Sequence, residues 1–215
     1  MKIQFIFNKE GSTLIELLIA LVISGIVVAG FYRLFITQTK TYAVQDQVVE
    51  VQQGIRSTME ILVRDLRMTG FDDDNINSAI TITNPIVYPL KDDAIAVNYE
   101  SYDKTASRYQ KDTVAYWRET NSLRLIRQRT INEVAGPQDI LLENVDALNF
   151  TYGVDTNEDG VADRWLSAAD VGLNRVIAVR VTLTARPPQA DQQHQIVSPR
   201  TLASAVTLRN LCIMK

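Results

Sequence analysis

Gly11-Ser12-Thr13-Leu14-Ile15-Glu16 opens an apolar run that continues to Phe31, and the reading of this stretch decides the fold. From Ser12 to Phe31 there are twenty residues and one charge, Glu16. A helix of that length rises about 30 Å, close to the thickness of a bilayer's hydrocarbon core. A carboxylate in such a segment costs about 2.5–3.5 kcal/mol at mid-membrane and less toward an end, so a compensating partner is expected. Three readings compete. A secretory signal peptide has a shorter apolar region without an acid and then a small-x-small cleavage site; this run is longer, bears an acid, and is followed by no convincing Ala-x-Ala. A plain transmembrane anchor keeps Lys2 and Lys9 on the cytoplasmic side. In the third reading a leader is cut off ahead of the run, and the helix persists from Ser12.

Lys9-Glu10-Gly11, followed by Ser12-Thr13-Leu14-Ile15-Glu16 and the apolar run, resembles the type IV prepilin signal. The resemblance implies that prepilin peptidase cuts after Gly11 and that the new terminus, Ser12, is methylated, usually by an N-methyltransferase activity of the same enzyme. Ser12 stands where most of the family has Phe, a departure that some minor pilins share. The resemblance also gives Glu16 a role: it meets the N-terminal amine of a neighbouring subunit as helices pack into a fibre. Opposite charges attract strongly in a low dielectric and relieve each other's burial, so Glu16 would set register rather than add net stability.

Beyond the run, Val44, Val48, Val51, Ile55, Met59, Leu62 and Leu66 fall at spacings of three and four, a single stripe on one helical face. Gln45, Gln47, Glu50, Gln53, Arg56, Glu60, Arg64 and Arg67 occupy the other face. No proline occurs before Pro85, and Gly54 weakens the helix by about 1 kcal/mol relative to Ala. Gly70 is suited to be the C-terminal stop, with Arg64 and Arg67 at the negative end of the helix dipole. One helix from Ser12 to about Thr69 is therefore expected; the alternative is two helices with a bend near Arg33–Lys40. Thr41-Tyr42-Ala43-Val44-Gln45-Asp46 and Arg64-Asp65-Leu66-Arg67-Met68-Thr69-Gly70-Phe71 resemble the PilW-like minor pilins. The J-class pseudopilin of type II secretion shares an Arg-Asp-Leu-Arg-like element and is the nearest rival.

Past Gly70 the pattern changes to strands and turns. Asp72-Asp73-Asp74-Asn75 reads as a solvated loop rather than a cation site. Ala79–Thr83, Ala94–Tyr99, Thr113–Arg118 and Leu123–Gln128 are short β-prone runs, the last two joined as a hairpin. Val145–Tyr152 and Val176–Ala185 read as longer strands, with Ile177, Val179, Val181 and Leu183 facing the core. A polar loop follows Pro187-Pro188, and Leu202–Leu211 is expected to close the sheet. The fold class is thus α+β: a long N-terminal helix, transmembrane in its first half, packed on an antiparallel β-sheet head, as the type IV pilin-like resemblance also implies. The expected organisation is a leader over 1–11, a transmembrane segment over 12–32, an amphipathic extension over 33–70 and a head over 71–215.

One motif points to metal chemistry. Asp155-Thr156-Asn157-Glu158-Asp159-Gly160-Val161-Ala162-Asp163 alternates oxygen side chains at loop positions 1, 3 and 5 and places Gly at 6 for the sharp turn, which suits a hard cation such as Ca2+. Val161 would offer its carbonyl, Asp163 would act directly or through water, and Asp170 is a further candidate. Position 12 is Leu166 rather than a bidentate Glu, and a strand rather than a helix is expected before the loop. A calcium-stapled β-turn is expected over a switch, with an ion-free acidic turn as the bland alternative.

The remaining composition excludes more than it assigns. At 215 residues with 46% hydrophobic content, the chain suits one helix and one domain. A net charge of -3 and a pI near 5.3 give no basic footprint for nucleic acid. Cys212 is the only cysteine, which precludes an internal disulfide, and is expected as a buried thiol. His194 is the only histidine and is expected to be exposed. No phosphate loop, nucleophile elbow or Cys/His ligand set is present, so the chain reads as a substrate of processing enzymes and not as an enzyme. The resemblance implies a minor pilin taking part in type IV pilus assembly and initiation, at or near the tip. Its partners would be major and minor pilins, prepilin peptidase and the inner membrane, with the head in the periplasm before assembly and the pilus at the cell surface after it. The alternatives are a type II secretion pseudopilin and a membrane-anchored calcium-binding domain with no fibre role.

Overall fold

A computed structural model describes residues 13–73, 78–187 and 198–213. Gly11 and Ser12, Asp74 and Asn75, and His194 lie outside the described residues. Helix α1 runs Leu14–Met68 as one element, so the expected single helix stands, rather than two helices. The chain divides into two compact units, Met1–Asp46 and Gln47–Lys215.

In the first unit the apolar side chains are exposed around the whole helix, among them Leu14, Leu18, Ile23, Ile26, Phe31 and Phe35. A helix apolar on every side requires lipid or other helices around it. Its length and composition suffice to cross a membrane. Farther along, the hydroxyls of Thr37, Thr39 and Thr41 donate to the carbonyls of Arg33, Phe35 and Thr37, four residues back, at 3.0, 2.9 and 3.0 Å. These polar groups are satisfied within the helix itself.

In the second unit the stripe does what its spacing demands. Val51, Ile55, Met59, Leu62 and Leu66 are buried and join one hydrophobic core with the strands. The helix stops at Gly70, whose φ of 71° is left-handed. A Cβ at Gly70 would lie 3.0 Å from Leu211 and 3.2 Å from Pro85, so glycine is needed for space as well as for the turn.

Among the described residues, eight strands form two four-stranded antiparallel sheets rather than a single sheet. The first is a meander of β1 (Ala94–Asp103), β2 (Arg108–Glu119), β3 (Arg124–Ile131) and β4 (Val134–Leu142). The second orders β6 (Arg164–Leu166), β5 (Val145–Asp155), β7 (Arg175–Ala185) and β8 (Arg200–Thr207) side by side. The hairpin expected around Asn121 is β2–β3, with Glu119 opposite Arg124. Val179, Val181 and Leu183 are buried in the core as their alternation requires, whereas at the start of β7, beside a register shift between Gly153 and Val154, Val176 joins the core and Ile177 is buried outside it.

Three further expectations are corrected. Ala79–Thr83 is not a strand. Its backbone is held by side chains instead: the Ile82 N–H donates to Asp72 at 3.0 Å and the Ile80 N–H to the Ser78 hydroxyl at 3.2 Å, bonds that compete with a ladder. The last strand ends at Thr207, and a short helix α2 (Arg209–Ile213) follows. That turn brings Leu208 and Leu211 into the core, while the Asn210 amide donates to the Thr69 carbonyl at 3.0 Å. Cys212 is half-buried rather than buried.

Candidate functional site

At the start of α1, Thr13 and Glu16 bond reciprocally. The Thr13 N–H and hydroxyl donate to one Glu16 carboxylate oxygen at 2.9 and 3.1 Å, and the Glu16 N–H donates to the Thr13 hydroxyl at 3.4 Å. This is a capping box, and its signature, Thr-x-x-Glu, stands in the sequence although the apolar reading passed over it. It holds the carboxylate at the first turn, beside the residue expected to carry the new amine.

A second polar cluster ties the helix to the first sheet. Asp65 on α1 is buried, and one of its oxygens accepts from the Tyr116 hydroxyl on β2 at 2.6 Å and from the Arg127 Nε on β3 at 2.9 Å. A second Arg127 nitrogen lies 2.8 Å from the same oxygen. Arg127 Nε also lies 3.1 Å from the Tyr116 hydroxyl, closing the triangle. Next to it, fully buried Asp112 takes a bidentate pair from Arg129 at 2.7 and 3.1 Å. Charge-assisted bonds of this kind are about twice as strong as neutral ones.

The acidic loop lies between β5 and β6, so strands flank it on both sides. Asp155 is buried and accepts from the N–H groups of Asn157, Glu158 and Gly160 at 3.3, 2.7 and 2.9 Å. Gly160 has the left-handed φ of 81° that the sharp turn needs. Asp159 accepts from the Val161 N–H at 2.8 Å. Asp163 is turned to Thr156, taking its hydroxyl at 2.6 Å and its N–H at 2.8 Å, and those bonds hold its carboxyl below the usual range. Asp170 instead accepts from the Ser167 hydroxyl at 2.6 Å. The turn thus brings Asp155, Asn157, Asp159, Val161 and Asp163 into one loop. Among the described residues no three His, Cys, Asp or Glu side chains converge as a ligand set.

Residues 108–209 match the family model of Type IV Pilus-assembly protein W, and residues 6–32 match the prokaryotic N-terminal methylation motif. The chain is a type IV minor pilin. A protein of this kind is processed by a peptidase at its N-terminal motif and assembles with other pilins. A type IV-like pilin from Thermus thermophilus is similar at 11% identity, over 75% of this chain and 98% of that one, with a TM-score of 0.46. No curated protein sequence matches the chain.

For this minor pilin, the Arg64–Phe71 element that carried the resemblance is a set of structural contacts. Asp65 binds the sheet, Leu66 fills the core and Gly70 ends the helix. Burial raises Tyr116 well above the ordinary tyrosine value, helped by its bond to the Asp65 carboxylate. Burial likewise raises Tyr152 and pushes Tyr99 up to about 12. In the unfolded chain these phenols ionise near pH 10, about two units or more earlier than in the fold. Their stabilising contribution is complete below that pH and is lost as pH climbs toward the folded values. The slope is about 1.4 kcal/mol per pH unit for each tyrosine. The melting midpoint of the chain is expected to fall steeply above about pH 10, and less steeply in Tyr116→Phe. Equal alkaline slopes in the two proteins contradict this assignment.

Proposed function

We propose that this minor pilin primes type IV pilus assembly and takes a place at or near the tip. It begins as a single-pass inner-membrane protein with its head in the periplasm, and prepilin peptidase frees it after Gly11. The observation that carries this reading is a helix exposed and apolar on all sides, opened by Glu16 and continuous with the segment that packs in the head. Such a helix can leave lipid only for an equally apolar environment, which a bundle of like helices provides. Its proposed partners are the other major and minor pilins. The test is deletion of the gene followed by electron microscopy of the cell surface and assay of secreted enzymes. Loss of pili with secretion intact is expected. Loss of secretion with pili intact supports the type II pseudopilin instead.

A calcium role for Asp155–Asp163 is a second proposal, favoured by the hard-oxygen donors and by the left-handed turn at Gly160. Asp163 would have to release Thr156 or act through water. Titration calorimetry of the full chain in detergent is expected to show binding at about 0.1–1 mM Ca2+, the range of extracellular modules, with none in Asp159→Ala. An absence of heat at millimolar Ca2+ retires the idea, as does equal heat in the variant.

A further inference from the structure

Two four-stranded sheets have four edges, and three of them are blunted. Along β1 the chain covers its own edge: Asn98 bonds Gly70 and Pro85, Ala96 bonds Val87, and Glu100 bonds Phe71, all through backbone groups at 2.8–2.9 Å. Edge strand β4 carries Gly136, Pro137 and Asp139, and its pairing with β3 is broken by two register shifts. Edge strand β6 has three residues. These are the devices by which proteins keep edges from pairing with other chains.

Edge strand β8 has none of them. It is eight residues long, Arg200-Thr201-Leu202-Ala203-Ser204-Ala205-Val206-Thr207, without proline, lysine or acid, and it pairs with β7 in unbroken register. Among the described residues nothing pairs with its outer side. Its outward side chains, Thr201, Ala203, Ala205 and Thr207, are exposed and small. Beside its C-terminal half lies a groove of about 320 Å³, bounded by Gly160, Ala162 and Trp165 on one side and by Ala178, Ala205 and Thr207 on the other. Gly153 leaves the space over which the Trp165 ring lies, since a Cβ there would stand 3.3 Å from the ring. Arg180 stacks on Trp165 at 4.1 Å. Arg180, Arg200 and Arg209 are exposed and make no ion pair among the described residues.

We propose that β8 is a docking edge for an extended strand of another pilus subunit, one whose large apolar side chain reaches across Ala205 into the Trp165 groove. This rests on the minor-pilin reading. An unpaired row of backbone N–H and C=O groups is matched by extended backbone, and an adjoining pocket for one side chain adds specificity. The three arginines favour a strand with acidic flanks. A large side chain on an added strand can reach a diagonal neighbour when the residues between are small.

The test uses the full chain in piliated cells. Ala203→Lys and Thr207→Lys place a charge on the edge, and Gln138→Lys does the same on β4 as a control. The two β8 variants are expected to retain the wild-type melting midpoint yet reduce surface pili about tenfold or more, with the β4 control unaffected. A photo-crosslinker at position 201, 203 or 205 is expected to join alternate residues of one segment in another pilin. Normal piliation of stable β8 variants overturns the proposal, and so do crosslinks only to a second copy of this chain or to scattered sites. Glu16→Ala separates the two levels. If it abolishes piliation while the β8 variants do not, the pilin reading stands and the docking edge falls.

Discussion

Asp65→Ala is expected to destabilise the head by about 3 kcal/mol, the lower end of the cost of breaking a buried ion pair. In a protein of this size that is a fall in melting midpoint of about 6–12 °C. The loss exceeds that of one hydrogen bond because two partners are stranded. Arg127, whose side chain is only 16% exposed, keeps just Asp139 at 3.7 Å and the Tyr116 hydroxyl. The Tyr116 hydroxyl, fully buried, loses its carboxylate acceptor. Partial exposure of Arg127 and its second carboxylate place the figure at the low end. Removing both charges should undo most of the damage, since apolar replacement of a whole buried pair is often neutral. Asp65→Leu with Arg127→Met is therefore expected to melt above Asp65→Ala. Thermal denaturation of the variants decides it, and a change under about 1 kcal/mol in Asp65→Ala contradicts the role given to the cluster.

Glu16→Ala is expected to insert into the membrane as well as the wild type and to be missing from pili. Removing a carboxylate from an apolar helix makes insertion easier, by up to about 2.5–3.5 kcal/mol. The capping box offers a competing account, in which Glu16 only secures the first turn, at a cost of about 1 kcal/mol when lost. Glu16→Gln distinguishes the two. Glutamine completes a capping box equally well but carries no charge to meet a neighbour's amine. If Glu16 acts by pairing, Glu16→Gln fails to assemble as Glu16→Ala does. If it acts only as a cap, Gln restores incorporation. Immunoblots of membranes and of sheared pili measure both steps.

Periodicity made the helix legible. A stripe at spacings of three and four has one physical solution, and every member from Val51 to Leu66 is buried. The polar members of the same face were not legible. Thr58, Asp65 and Thr69 are buried among the apolar positions, and a charge at Asp65 next to Leu66 reads as surface until Tyr116 and Arg127 are seen across the interface. Strand β4 was missed because Gly136-Pro137 reads as a turn. An edge strand tolerates proline, and Gly136 is needed because a Cβ there would lie 2.7 Å from the Arg129 carbonyl. Strand β6 was hidden inside the acidic motif, whose expected twelfth position, Leu166, is its last residue. Gly54 reads as a weak point in the helix, yet a Cβ there would meet Leu142 at 2.9 Å, so it accommodates β4.

The account rests on the proposal that the mature protein begins at Ser12, one residue after Gly11. Mass spectrometry of the N-terminus of the chain isolated from its own cells tests this directly. A chain starting at N-methylated Ser12 is the result expected. A chain starting at Met1 would contradict the pilin reading at its root.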